Sequence, residues 1–296
     1  MNEVELTEAV PKNPMPGLER QMFERRAMKS AILTTLTWII ALLGSVPLFS
    51  VIIMLVMQGG ARLDLEALTS LPPAGFEMGG GFGNAIVGTL VMVAIAAMIS
   101  VPIGTLAAVY LAVLGPDSTL ARTSRFVAKA LTGFPSILAG VFTYAVLVIS
   151  YGYSALAGGV ALSVLMLPTV VLAAEEAMKH VPQRMKDAAF GMGCTRTQVI
   201  WKVVIPTGLP GILTGVMLAV AGAAGESAPL LFTALFSNYF ISELIEPTAS
   251  LSILIYNFSA MPFDNQIELA WAASLVLVLM VLVFNILARL VGQPKV

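Results

Sequence analysis

The residues whose spacing carries the most chemistry run from Asp187 to Pro206, DAAFGMGCTRTQVIWKVVIP, a polar and basic island between two long apolar stretches. Asp187, Ala188 and Ala189 are followed after three residues by Gly193, and after nine more by Val203, Ile205 and Pro206. Nothing in the island suits covalent catalysis. The single histidine, His180, has no second metal ligand nearby and reads as a surface residue. The single cysteine, Cys194, excludes a disulfide within the chain and reads as a small buried residue beside a loop. What the island can do is mechanical. Pro182 can start a short helix, and Gln183–Ala189 are good or neutral helix formers. Ala188 and Ala189 offer a flat surface for close approach, and Gly193 can turn the chain. Arg196–Val204 then reads as a second short helix ended by Pro206. Asp187 can pair with a basic group, in the loop or on a partner. The expectation is a rigid docking knob built on Asp187, Ala188, Ala189, Gly193, Arg196 and Pro206.

A second candidate is Glu226, a carboxylate inside an otherwise apolar stretch. Such a group costs about 2.5–3.5 kcal/mol at the centre of a spanning helix, which makes it a functional candidate. Pro229 follows and weakens the helix, and Ser227 and Thr233 carry hydroxyls nearby. These four residues are the expected lining of a translocation pathway, with Ser163, Thr169 and Thr214 as further donors. Glu175 and Glu176 are expected to be solvated charges at a span's end.

These residues must be positioned by elements that lipid selects. Of 296 residues, 58% are hydrophobic and only 11% charged, against about a quarter charged in soluble domains. The formal net charge is −1 with no basic tail, which argues against nucleic acid as a partner. Six stretches reach the roughly 20 apolar residues a spanning helix needs: 31–57, 84–113, 129–150, 155–174, 207–234 and 267–290. In lipid they must be helices, so the fold class is an all-α polytopic membrane protein. The first stretch begins after thirty residues and is too long for a signal segment, so it reads as a retained span. Counted over these connections, Lys12, Arg20, Arg25, Arg26, Lys29, Arg122, Arg125, Lys129, Lys179, Arg184, Lys186, Arg196, Lys202, Arg289 and Lys295 fall on one side, and only Arg62 on the other. By the positive-inside rule both termini and the 175–206 loop are cytoplasmic. The expected organisation is a cytoplasmic segment 1–30, a six-helix domain 31–290 and a cytoplasmic end 291–296.

The connection 58–83 reads as an ordered outer loop. Pro102 and Gly104 read as interruptions of the second span, and Pro135 as a break near the start of the third. The outer segment 237–266 reads as an interfacial or re-entrant helix, with Tyr239, Phe240 and Tyr256 suited to an interface. No Gly-rich run leads into Gly-Lys-Ser/Thr, so any ATP would be bound by another polypeptide.

The Asp187–Pro206 spacing resembles the EAA loop of ABC-importer permeases, E-A-A, three residues, G, nine residues, I-x-L-P, with Asp187, Val203 and Ile205 as conservative replacements. Gly225-Glu-Ser-Ala-Pro-Leu-Leu-Phe-Thr-Ala234 resembles the G-E-T-A-P-L-L-F-T-A signature of the PstA-like permease family of bacterial phosphate-specific (Pst) ABC importers. Asn84–Leu90, Pro102–Gly104, Pro135–Ile137, Glu268–Ala273 and Asn285–Arg289 extend the resemblance over roughly residues 80–290.

The resemblance implies a type I importer permease (MetI-like) fold located in the bacterial inner membrane. It implies a heterodimer with a PstC-like permease, a PstB-like ATPase dimer that binds ATP and magnesium, and a PstS-like periplasmic phosphate-binding protein. The chain itself would hold no cofactor and catalyse nothing. It departs from the family in having Gly222 and Leu172 where arginines are expected, one turn before Glu226 and three residues before Glu175. No lysine or arginine then remains in the membrane interior, which leaves another oxyanion (sulfate or molybdate) as the alternative substrate. A passive channel would give flux without ATP. A secondary transporter would need a coupling-ion site for which Glu226 alone is offered.

Overall fold

The structure is a computed structural model that describes residues 25–291; the expected tails, 1–24 and 292–296, lie outside the described residues. All regular elements among the described residues are helical.

Helix α1, Arg25–Met54, forms one unit through Ile53. It starts six residues before the expected span and runs through Pro47. With apolar residues round its whole circumference, it is a helix whose solvent is lipid.

The second unit begins at Met54. A π-helical turn, Leu55–Gly59, and helix α2, Leu65–Thr69, open it. Asp64 caps α2 by accepting from the amide of Ala67 at 2.7 Å. The connection that follows is ordered, as expected. Asn265 Nδ2 donates to the carbonyls of Glu77 (2.9 Å) and Gly79 (3.1 Å), and Gln266 Nε2 donates to that of Pro73 (3.1 Å). The loop is thereby fastened to the start of the last helix.

Three long helices make the core: α3 (Gly83–Val109, continuing as a π-turn Tyr110–Leu114), α7 (Ala155–Lys179) and α10 (Ile205–Gly225). In lipid, helices associate through close packing of small residues more than through burial of apolar area. Ala155, Ala157, Gly158, Gly159 and Ala161 form such a stripe near the start of α7, where Gly158 and Gly159 pack on Met92 and Ile95 of α3. Met92, Met166, Val170, Val216 and Val220 fill the centre. Helix α3 runs through Pro102 and Gly104 without a break, contrary to the expected interruption.

Five helical stretches are long and apolar enough to span. The expected third span, 129–150, is instead a bent pair. Helix α4 (Thr119–Thr132) and the stretch Ser136–Tyr151 meet at 104° across Gly133–Pro135. That second stretch is α5 (Ser136–Thr143), a π-turn (Tyr144–Val148) and the short α6 (Ile149–Tyr151). The residue before a proline is pushed out of the helical region, and Pro135 then caps α5 instead of continuing α4.

The expected fifth span, 207–234, is also revised at both ends. Helix α9 (Arg196–Val199), a π-turn (Ile200–Val204) and α10 form one continuous helical stretch of 30 residues, Arg196–Gly225. Pro206 therefore does not end a helix. It lies in the first turn of α10, where a missing amide is tolerated, and the π-turn before it absorbs the register change. At the other end α10 stops at Gly225, because the ring of Pro229 would clash with the carbonyl four residues earlier. A short helix α11, Ala228–Leu231, follows.

Helix α12 (Leu251–Ser259) is the expected short helix of the outer segment, with Leu251, Ile253, Leu254 and Phe258 buried. Its start is pinned from two sides. The Leu251 amide donates to Thr89 Oγ1 at 2.9 Å, and Ser252 Oγ donates to the Glu226 carbonyl at 2.9 Å. Helix α13, Asp264–Val291, closes the described chain.

Candidate functional site

The 175–206 segment folds as a helical hairpin. Helix α8, Gln183–Gly191, begins after Pro182. It ends in a Schellman motif: the Gly193 amide donates to the Phe190 carbonyl (2.9 Å) and the Cys194 amide to the Ala189 carbonyl (3.1 Å). Gly193 has φ +84°, the left-handed conformation that a side chain disfavours. Thr195 then caps α9 in a reciprocal capping box with Gln198. Both turns of the hairpin are thus specified by local chemistry.

The inner face of the hairpin is seated in the apolar core. Ala189, Val199, Ile200 and Val204 are buried in one apolar cluster with Met178 and Val181. Of the two alanines expected to form a flat surface, only Ala188 is exposed; Ala189 is 3% exposed and belongs to this seat. Asp187 is exposed and accepts from Gln183 Nε2 at 2.8 Å, one turn back. Arg196 and Pro206 are exposed as well. The outer face also presents Met185, Phe190, Met192 and Trp201, with Met192 78% exposed. These apolar residues were not singled out from sequence, although Phe190 and Met192 sit inside the motif's own gap. An exposed apolar tip flanked by Arg184, Asp187 and Arg196 has the make-up of a docking surface.

Glu226 is not inside a helix. It is the extended residue that ends α10 (φ −76°, ψ 121°), and it is half-buried. It lines a cavity of about 280 Å³ with Leu218, Ala219, Gly222 and Ala223 of α10, Leu165, Met166 and Thr169 of α7, and Leu131, Thr132, Phe134 and Ser136 at the break in the third span. Ser136 is the first residue of α5, whose first amides lack intrahelical partners. Gly222 faces open space, with nothing within 4 Å of where a Cβ would stand.

The other expected pathway residues divide. Ser227 is half-buried next to Glu226, while Pro229 is buried at the start of α11. Thr233 is fully buried and donates to the Pro229 carbonyl at 2.8 Å, so its hydroxyl holds α11 together and does not line the cavity. Ser163 and Thr214 likewise donate to carbonyls of their own helices, at 2.7 and 2.8 Å. Thr169 reaches the cavity, joined by Thr132 and Ser136, which Pro135 alone hinted at.

Glu175, expected to be solvated, is 3% exposed. Arg125 Nε donates to its Oε1 at 2.5 Å, and Lys179 Nζ lies 2.6 Å from the same oxygen. Glu176, one residue on, is exposed as expected.

Residues 100–294 match the family of binding-protein-dependent transport system inner membrane components. In fold the chain is similar to a chain of a bacterial alginate ABC transporter crystallised with an alginate pentasaccharide-bound periplasmic protein. The TM-score is 0.63 at 13% identity, covering 93% of this chain and 100% of that one. It is also similar to a chain of the inward-facing MetNI methionine ABC transporter, with TM-score 0.55 at 19% identity over 72% and 93%. The fold is that of an all-α, multi-pass type I ABC importer permease.

Full-length relatives narrow the class. The chain is 37% identical to the phosphate transport system permease protein PstA of Pasteurella multocida, over 92% of this chain and 98% of that protein. It is 38% identical to PstA of Haemophilus influenzae over 92% and 97%. It is also 38% identical to the probable PstA of Methanocaldococcus jannaschii over 87% and 91%. The chain belongs to the PstA family of phosphate transport system permease proteins. Members of this family are transporter subunits and not enzymes.

Proposed function

We propose that this chain is the PstA-like half of an ATP-driven phosphate importer in the bacterial inner membrane, with both termini cytoplasmic. A PstC-like permease completes the path. A PstB-like ATPase dimer binds ATP and magnesium and receives the α8–α9 hairpin, and a PstS-like protein delivers phosphate from the outside. The observation that carries this reading is the hairpin itself. It has an exposed tip at Asp187, Ala188, Phe190 and Met192, fixed by the Gly193 turn and the Thr195 cap, and rooted in the buried apolar core through Ala189, Val199, Ile200 and Val204. A knob joined to a spanning helix by packed side chains transmits a push as a discrete shift, not as a local bend.

The pathway in this reading includes the cavity at Glu226. A phosphate crossing lipid needs hydrogen-bond donors. Thr132, Ser136 and Thr169 supply hydroxyls, and the positive end of α5 opens beside them. Glu226 would repel an anion there unless it is protonated or meets a cation from the partner permease. Gly222, with its open surroundings, leaves room for such a side chain.

The test is reconstitution of this chain with partner permease, ATPase and binding protein. Phosphate-loaded binding protein is expected to stimulate ATP hydrolysis and uptake. Asp187→Lys is expected to abolish both while the permease pair still inserts. Stimulation by a sulfate or molybdate carrier but not by the phosphate carrier would overturn the substrate assignment.

A further inference from the structure

We infer that Arg125 is a positioning residue that clamps the cytoplasmic ends of the second and fourth spans into one body, so that motion of the docking hairpin is delivered to both. Its guanidinium joins three elements. Nε donates to Glu175 Oε1 near the end of α7 at 2.5 Å. Nη2 donates to the Leu111 carbonyl at 2.7 Å, inside the π-turn that ends the second span. Nη1 donates to the Pro116 carbonyl at 2.8 Å, in the link that leads into α4. Lys179 binds the same Glu175 oxygen at 2.6 Å from one turn further along α7.

Two features make this more than a surface ion pair. Glu175 is 3% exposed, so its charge is held by Arg125 and Lys179 instead of by water. Carbonyls in a helix's last turn have no intrahelical donor, and a π-turn displaces them further, so the Arg125 fork caps the second span with positive charge at its negative end. Apolar packing works beside it only in part: Leu111 of the π-turn, Ala121 of α4 and Val171 of α7 are buried in one small cluster. Between α4, the π-turn and α7 lies a groove of about 450 Å³, lined by Tyr110, Leu120, Val127, Leu131, Leu167 and Pro168. Contact between α4 and its neighbours is incomplete there, and the ionic clamp bridges beside the gap.

The route to the hairpin is short. Met178 and Val181, just past Glu175, belong to the same buried core as Ala189, Val199, Ile200 and Val204, and the hairpin continues into α10, whose Gly208 and Gly211 pack on Ala177 of α7. A displacement of α8 therefore moves the end of α7. Through Glu175 and Arg125 it also moves the end of α3, and α4 with the bent third span. Lysine in place of Arg125 keeps one charge for Glu175 but lacks the planar fork that reaches two carbonyls together.

This inference rests on the importer reading, and its test separates the two. With Cys194 replaced by Ser, spin labels at Ala130→Cys and Glu176→Cys, both exposed positions, report the α4–α7 separation in the complex. The wild-type distance is expected to be the same with and without trapped ATP, and the Arg125→Met distance to broaden or change with nucleotide. In the same complexes, Arg125→Met and Glu175→Gln should still bind the ATPase and keep basal hydrolysis. Stimulation by phosphate-loaded binding protein should fall about tenfold, with Arg125→Lys in between. A wild-type distance that changes with nucleotide overturns the clamp. So does an Arg125→Met complex with unaltered distance and unaltered stimulation, or a loss of stimulation that merely tracks loss of assembled complex. Failure of the wild type to respond to phosphate would count against the substrate assignment and leave the distance readings to judge the clamp.

Discussion

At the tip of the hairpin, one backbone torsion decides where an entire helix points. Gly193 holds φ +84° while its amide and that of Cys194 close the end of α8. A side chain in that conformation costs about 1–2 kcal/mol, more for a β-branched residue. Gly193→Val is therefore expected to rotate or unravel the turn and not to unfold the bundle, because nothing lies near the position for a side chain to strike. Phosphate uptake should fall at least about tenfold while the protein still reaches the membrane in normal amount. Gly193→Ala should fall in the same direction by less. Uptake at the wild-type rate in Gly193→Val would remove the turn from the transmission route. Nearby residues illustrate why type alone misled: Ala188 and Ala189 are chemically identical neighbours, yet one faces outward and the other is buried in the seat. The 3.6-residue helical period puts them on different faces, and which face docks is decided by what the hairpin lies on.

At the scale of elements, hydropathy found every long span because length and apolarity are local properties. It placed breaks poorly because breaks depend on partners. Gly133–Pro135 gives a 104° bend, but Pro102 and Pro168 lie inside unbroken helices. Apolar residues continue past Gly225, so composition carried the fifth span too far and put Glu226 inside it, whereas the helix ends one residue before. The EAA spacing and the Gly193 turn were legible because Schellman geometry is local, and the Thr195–Gln198 cap, equally local, went unread. The buried Arg125–Glu175 pair was not legible, because its partners are 50 residues apart. Pro206 sits between these cases: its place in the motif was legible, its structural role was not. In the first turn of α10 it fixes a torsion already suited to a helix, so Pro206→Ala should lower stability by only about 0.4–1 kcal/mol, chiefly through the unfolded state. A thermal-shift measurement on the purified permease pair, with uptake alongside, checks this. A collapse in stability or uptake would show that Pro206 does more than fix a torsion.

For the whole molecule, the deciding physical term is the sign of charge on each side of the bilayer. Spans counted with the bent pair as one put Arg122, Lys129, Lys179, Arg184, Lys186, Arg196 and Lys202 on the same face, with Arg62 on the other. That distribution holds only if the bent pair returns the chain to the opposite side. If Thr119–Tyr151 dipped in and came back, every later connection would change sides, and the hairpin would face away from any cytosolic ATPase. The bend itself therefore carries the topology. In a Cys194→Ser background, single cysteines at Thr69 in α2 and at Gln198 in α9 are both exposed. A membrane-impermeant maleimide added to intact spheroplasts should label Thr69→Cys and spare Gln198→Cys, and inverted vesicles should reverse the result. Labelling of both positions from one side would show that the bent pair does not cross, and the energy-coupling assignment of the hairpin would fall with it.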